Sequence, residues 1–240
     1  MVHQALFKKE LQQNRIKLLL SLLLLGAGAV ALPLLFGRTW PVFSWTLDFS
    51  REAYDLYIWN RWTAGVMLYV SLFSALLFGA GAISGERAAG TEIVLLSKPL
   101  SRREIYTSKV AAGLLLLLLG VLGSTLLLYL ASWYRGYLLD PKSLFTAAAI
   151  TWMGAVLVYL AVLIFSVLFS SPVKAGAAAA LFILALSLPA YFEATESYSL
   201  LYYMKAVPYW QEGQTPLVPL GFFLVAGGLL YETGVILYDR

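Results

Sequence analysis

The stretch SGERAAGTEIVLLSKPLSRREIYTSK, Ser84–Lys109, decides how the chain is organised. It is the one long polar interruption on the basic side of an otherwise apolar sequence. Gly85 to Ser97 is predicted to form about three helical turns, with Ile93, Val94, Leu95 and Leu96 apolar and Glu86, Arg87 and Glu92 polar. Pro99 ends or kinks that helix, because it lacks an N–H and clashes with the preceding turn. Ser101-Arg102-Arg103-Glu104 reads as a capping box, Ser101 accepting from the Glu104 N–H and Glu104 reaching back. It starts a helix that runs through Lys109 into the next apolar run. A force applied to the first helix would therefore reach the spans on both sides of the loop.

On both sides of this stretch the chain is too greasy for water. Of 240 residues, 60% are hydrophobic and only 12% charged, against roughly 25% charged in an ordinary soluble domain. Apolar runs of this length mark membrane-spanning helices. They are too continuous for barrel strands, whose residues alternate. The expected fold class is an all-α membrane protein, a single domain over residues 1–240. Its six spans are expected at about 16–36, 63–83, 110–133, 144–169, 173–192 and 217–238.

The first run, Ile16–Phe36, covers roughly 31 Å as a helix, one hydrocarbon core. It is too long for a signal-peptide core and reads as an anchor. Ahead of it, MVHQALFKKELQQNR carries Leu6, Phe7 and Leu11 on one face and Lys8, Lys9 and Arg15 on the other. That is the pattern of a helix lying at the membrane surface. Gly81 and Gly85 close the second span at GxxxG spacing, a weak packing signal. Asp140-Pro141, Ser171-Pro172 and Thr215-Pro216 each read as a helix start. The AGAAAA run at 175–180 gives the fifth span a smooth face.

Two segments between spans are rich in aromatics. Residues 37–62 carry Trp40, Trp45, Tyr54, Tyr57, Trp59 and Trp62 and read as a short interfacial stretch. Residues 193–216 read as short interfacial or re-entrant helices. Lys8, Lys9, Arg15, Lys17, Arg87, Lys98, Arg102, Arg103, Lys109, Lys174 and Arg240 fall on the side of the Ser84–Lys109 loop. Only Arg38, Arg51, Arg61, Arg135, Lys142 and Lys205 fall on the other, which accounts for all 17 cations. The positive-inside rule then places both termini and the loop in the cytoplasm.

Most chemistry is excluded. There is no cysteine and one histidine, His3 in the N-terminal tail, so no thiolate, Ser-His or metal site is expected. No P-loop is present: Lys142-Ser143 follows a proline where the glycine belongs. Met67 and Met153 are too sparse for a copper path. Glu232 is a candidate intramembrane polar site, which could instead reach the interface or pair with Lys17 or Lys174.

The ordered run Glu86-Arg87, Gly90-Thr91, Leu95-Leu96, Pro99, Ser101-Arg102, Glu104 and Lys109 resembles the permease subunits of type-two ABC exporters (the ABC-2 family). The six-span layout and the basic amphipathic N-terminal helix match as well. The resemblance implies that the Glu86–Leu96 helix is a cytoplasmic coupling helix docked on a separate ABC ATPase. Glu86 and Arg87 would make polar contacts to it, and Ile93 and Leu96 would fill its groove. Gly90, Thr91, Pro99, Arg102 and Glu104 would complete the coupling motif. It further implies two copies pairing as a homodimer with two ATPase subunits, in the cell membrane of a prokaryote. ATP and Mg would sit on the partner, with no cofactor on this chain, which is itself no enzyme. The function so implied is ATP-driven export of a substrate that the resemblance does not fix; the apolar interior and aromatic far rim favour an amphipathic or hydrophobic one. The alternatives are a mechanical transmitter that drives an extracytoplasmic partner, and an ATP-independent small carrier.

Overall fold

The computed structural model describes residues 3–36, 50–92, 100–192, 194–213 and 217–239. Among these the regular structure is entirely helical. In chain order, α1 (Gln4–Gln13) and α2 (Arg15–Leu35) are followed by α3 (Arg51–Ile58). A π-helical stretch, Trp59–Met67, carries α3 directly into α4 (Leu68–Ala80). Then come α5 (Ser84–Ala88), α6 (Arg102–Tyr134), α7 (Pro141–Leu168) and α8 (Pro172–Ser187). The chain closes with α9 (Leu200–Met204), α10 (Val207–Glu212) and α11 (Leu217–Asp239).

Six helical stretches are long and apolar enough to cross a membrane: Arg15–Leu35, Arg51–Ala88, Arg102–Tyr134, Pro141–Leu168, Pro172–Tyr191 and Pro219–Asp239. They fall where the apolar runs place them, with one extension. Residues 51–62 are not a separate interfacial segment but the helical lead-in to the second span. Ser50 caps α3, its hydroxyl accepting from the Ala53 N–H at 3.2 Å. Tyr54, Ile58, Trp59 and Trp62 then recur on one face and are buried. Tyr54 donates to Ser132 at 2.7 Å and stacks on Tyr137 at 4.1 Å. Packing against α6 therefore takes rings that could equally have sat among headgroups.

Local start signals act as the sequence indicates. The Ser101–Glu104 capping box is complete. The helix it starts has 33 residues, about 50 Å, so it outruns the hydrocarbon core. Asp140 caps α7 by accepting from the Ser143 N–H at 2.9 Å, and the Ser143 hydroxyl and N–H hold its carboxyl below the usual carboxylate range. Ser171 starts α8 without a side-chain cap bond. Thr215-Pro216 lies outside the described residues.

The bundle is built around α7, which touches α4, α6, α8, α9 and α11. Close approach depends on Gly79 and Gly113. A Cβ on Gly79 would lie 2.7 Å from Val162 Cγ1, and one on Gly113 would overlap the Tyr159 phenol. The Gly81/Gly85 pair makes only ordinary contact with Pro172, at 3.9 and 3.8 Å, so it is not the close crossing its spacing suggested. Ala175 and Ala179 of the alanine run are fully buried. On α2, α8 and α11, Leu19, Leu23, Leu181, Leu184, Phe222 and Leu224 face outward, as lipid contact requires.

The two ends of the bundle differ. One, the basic face, gathers α1, α5, the start of α6, the α7–α8 turn and the end of α11. At the opposite face, α9 and α10 lie over the spans: Trp59 donates to the Lys205 carbonyl at 3.0 Å, Thr151 to the Met204 carbonyl at 2.7 Å, and Trp59 stacks on Trp210.

Gly113→Ala is expected to force the Tyr159 ring aside and cost about 1–3 kcal/mol, the usual range for overpacking. Gly123→Ala, where an added Cβ meets nothing within 4 Å, should cost nothing. Unfolding of the purified protein by SDS titration in mixed micelles compares them; equal midpoints would contradict this packing.

Candidate functional site

Three separate pieces of chain meet at one lysine on the basic face. Lys109 Nζ lies 2.7 Å from Glu10 Oε1 and 2.9 Å from Glu86 Oε2. Lys9 Nζ closes on the other Glu86 oxygen at 2.7 Å. The Lys109, Glu10 and Glu86 side chains are only 1%, 3% and 4% exposed, while Lys9 opens to solvent at 44%. Two ammonium groups thus meet two carboxylates. A buried charge is tolerable only when it is neutralised and hydrogen-bonded in this way.

Local structure presents each member. On α1, Leu6 and Glu10 are one turn apart and both buried, so the inward stripe of this helix carries a carboxylate as well as apolar groups. The Asn14 amide donates to the Glu10 carbonyl at 2.9 Å. The backbone N–H of His3 donates to Ser108 at 3.1 Å. Lys109 sits two turns into α6, and its carbonyl accepts from the Tyr159 hydroxyl at 2.9 Å. One short stretch, Ser108-Lys109, therefore holds α1, α5 and α7 together.

The loop is also fastened to the end of α7. The N–H groups of Ile83 and Ser84 both donate to the Ser166 hydroxyl at 3.0 Å, and that hydroxyl donates to the Ala80 carbonyl. Arg87 donates to the Val167 carbonyl at 2.9 Å and pairs with Glu92 at 3.0 Å. The expected single helix over Glu86–Leu96 is corrected: α5 stops at Ala88, and Gly90 turns the chain with φ +69 before Thr91 and Glu92. Only glycine takes that backbone without strain. Ala88, Ala89, Gly90 and Thr91 form an exposed tip of small residues. Ile93, Leu96 and Pro99 lie outside the described residues.

Glu86, the expected ATPase contact, and Glu232, the candidate intramembrane site, both pair within the chain. Glu86 faces inward with both oxygens engaged, so it braces the loop rather than reaching outward. Glu232 is not an isolated intramembrane carboxylate. It is 51% exposed and pairs with Arg103 at 2.8 Å, not with Lys17 or Lys174. Arg102 donates to the Tyr238 carbonyl at 2.8 Å, and Glu104 is spent on the capping box. Among the described residues no group of three or more His, Cys, Asp or Glu could hold a metal.

Glu10 was not singled out from the sequence, while Lys9 was read on the polar face of the N-terminal helix and Lys109 as part of the loop motif, neither as a member of a buried ion cluster. A signal was there: Glu10 stands on the Leu6 stripe, and Lys109 enters an apolar helix where a lone charge would be costly. Glu10→Gln or Lys109→Met alone should cost about 3–5 kcal/mol by stranding a buried charge. The double variant restores the balance, because Lys9 and Glu86 still pair. Its cost should therefore fall short of the sum of the two single costs by more than about 1 kcal/mol. Additive costs in a double-mutant cycle, read by SDS unfolding, would show that Glu10 and Lys109 do not act as a pair.

The chain was compared with known proteins. A family model described as ABC-2 family transporter protein matches residues 2–206, from the N-terminal helix through α9. No curated protein matches. With most of its length matched, the chain belongs to the ABC-2 transporter family, as a membrane-spanning permease subunit of an ABC transporter.

Proposed function

We propose that this permease subunit exports a substrate across the cell membrane, driven by a separate ABC ATPase that bears on the basic face. One observation carries the reading: the buried Lys109–Glu10–Glu86 junction fastens both α1 and the loop to the third span. A push on the exposed tip, or on α1, is not absorbed by a loose loop. It passes through the junction into α6 and through Ser166 and Tyr159 into α7. The positive-inside charge balance supports a cytoplasmic position for this face, where ATP is available.

In this reading the tip from Ala88 to Thr91, with Ile93 and Leu96, meets the ATPase, and Glu86 holds the tip in place. ATP and Mg belong to the partner. Two copies of the chain with two ATPase subunits form the working unit. An apolar crevice of about 640 Å³ between α7, α8 and α11, with Tyr198 and Tyr203 among its lining residues, suits an amphipathic cargo. A second reading, transmission of force to a partner outside the cell, draws on the way α9 and α10 are fastened over the opposite face by Trp59 and Thr151.

Affinity purification in mild detergent followed by native mass spectrometry tests the partnership. The expected result is two copies of this chain with two P-loop ATPase chains. Ala89→Trp, a bulky change on the exposed tip, should reduce ATPase recovery at least about tenfold, a loss of about 1.4 kcal/mol, without shifting SDS unfolding. A lone permease after crosslinking, or full ATPase recovery with Ala89→Trp, would contradict the docking site.

A further inference from the structure

The last span is held by different kinds of contact along its length. At its end, Tyr231, Gly234 and Tyr238 form one stripe of α11 that meets the first two turns of α6. Arg102 donates to the Tyr238 carbonyl at 2.8 Å, and its guanidinium lies 5.9 Å from the centre of the Tyr238 ring. That carbonyl is one of the acceptors a helix end leaves without an internal partner, and a cation there also suits the helix dipole. Arg103 pairs with Glu232 at 2.8 Å, and the Thr107 and Tyr231 hydroxyls share a hydrogen bond of 2.6 Å. Gly234 receives the Tyr106 ring, which would overlap any Cβ placed there.

Elsewhere α11 has open space beside its contact with α7. A Cβ on Gly221 or Gly228 would meet nothing within 4 Å. Apolar crevices of about 640 and 370 Å³ flank the helix, one against α7 and α8, the other against α6 and α7. Phe222, Leu224, Val225 and Leu229 point outward. Along its length α11 packs on α7 through apolar groups, the buried Phe223, and Gly227 beside Leu157, among them. Apolar contact of that kind permits small sliding of packed helices, whereas the polar grip at the end of α11 fixes it to α6.

We infer that α11 is a driven wall: Arg102 and Arg103 clamp it to the start of α6, so the third and sixth spans move as one unit and reshape both crevices. Arg102 and Arg103 are then positioning residues for transport and not contacts to the ATPase. The inference rests on the proposed coupling to an ATPase. The exposed Arg103–Glu232 pair contributes little stability; its part is to fix orientation, while Arg102 and Tyr106 supply the grip.

The test uses the permease–ATPase complex in nanodiscs, with labelled permease diluted by unlabelled copies. Spin labels at Leu130 and Leu184 report α6 against α8, and labels at Phe222 and Leu184 report α11 against α8; all three sites are exposed. Distances are measured before and after trapping with Mg-ATP and vanadate. Both pairs should shift together in the parent protein and in the charge swap Arg103→Glu/Glu232→Arg. In Arg102→Ala/Glu232→Arg, the α6 shift should persist and the α11 shift should be lost. The milder Arg103→Gln should diminish the α11 shift and serves if the double variant does not assemble. An α11 that stays still while α6 moves, or moves equally in the released variants, overturns the clamp alone. If neither pair shifts with the ATPase bound, the coupling reading fails and the driven wall fails with it.

Discussion

A lysine ammonium out of water is the constraint on which the basic face depends. Lys109 lies on a helix that runs on into the apolar bundle, and its side chain is 1% exposed. Its charge has to be met by carboxylates brought from elsewhere, since a stranded ion costs several kcal/mol. Glu10 comes from the N-terminal helix and Glu86 from the loop after the second span. Both segments are consequently docked rather than adrift. The N-terminal helix is thus more than a surface raft: its inward stripe is half greasy and half ionic. Such a junction resists displacement because moving Lys109 away from both carboxylates strands a buried charge.

The same need for a satisfied polar group recurs through the bundle. Ser166 takes up the N–H groups at the start of α5, Tyr159 donates to the Lys109 carbonyl, and Arg102 donates to the carbonyl near the end of α11. The first two tie the basic face to α7 and the third ties it to α11. The opposite face is fastened by its own set, from Trp59 and Thr151 to the backbone of residues 204–205. Between these two tied ends the spans meet through a core of Leu, Val, Phe and Tyr side chains, with close approach at Gly79 and Gly113. Apolar crevices lie on either side of α11.

What the sequence disclosed and what it withheld follow from the range of each interaction. Spans were legible because lipid imposes one demand on twenty successive positions. The Ser101 and Asp140 caps were legible because all their partners lie within three residues. The family resemblance rested on the loop motif, and the matched region confirms it. Trp59, Trp62 and Tyr54 were ambiguous, because an amphipathic ring suits a headgroup layer and a packed interior alike. Ser132, on α6, and Tyr137, in the turn after it, settle the place of Tyr54. Gly81 and Gly85 had the right spacing but the wrong neighbours, whereas Gly113 had no motif and faces Tyr159. Glu10 and Lys109 are 99 residues apart, and Arg103 and Glu232 are 129 apart. No local pattern announces such pairs. The break at Gly90 was the most accessible of the missed features, since a glycine before Thr91 already signals a helix end.

Amide hydrogen exchange tests the central claim most directly. Peptides covering α1 and α5 are followed in the native protein and in Lys109→Met, in the same nanodiscs. If Lys109 is the common anchor, both helices lose protection together in the variant, while peptides from the middle of α7 remain protected. Loss confined to one of the two helices, or unchanged exchange in both, would show that α1 and the loop are held independently of Lys109.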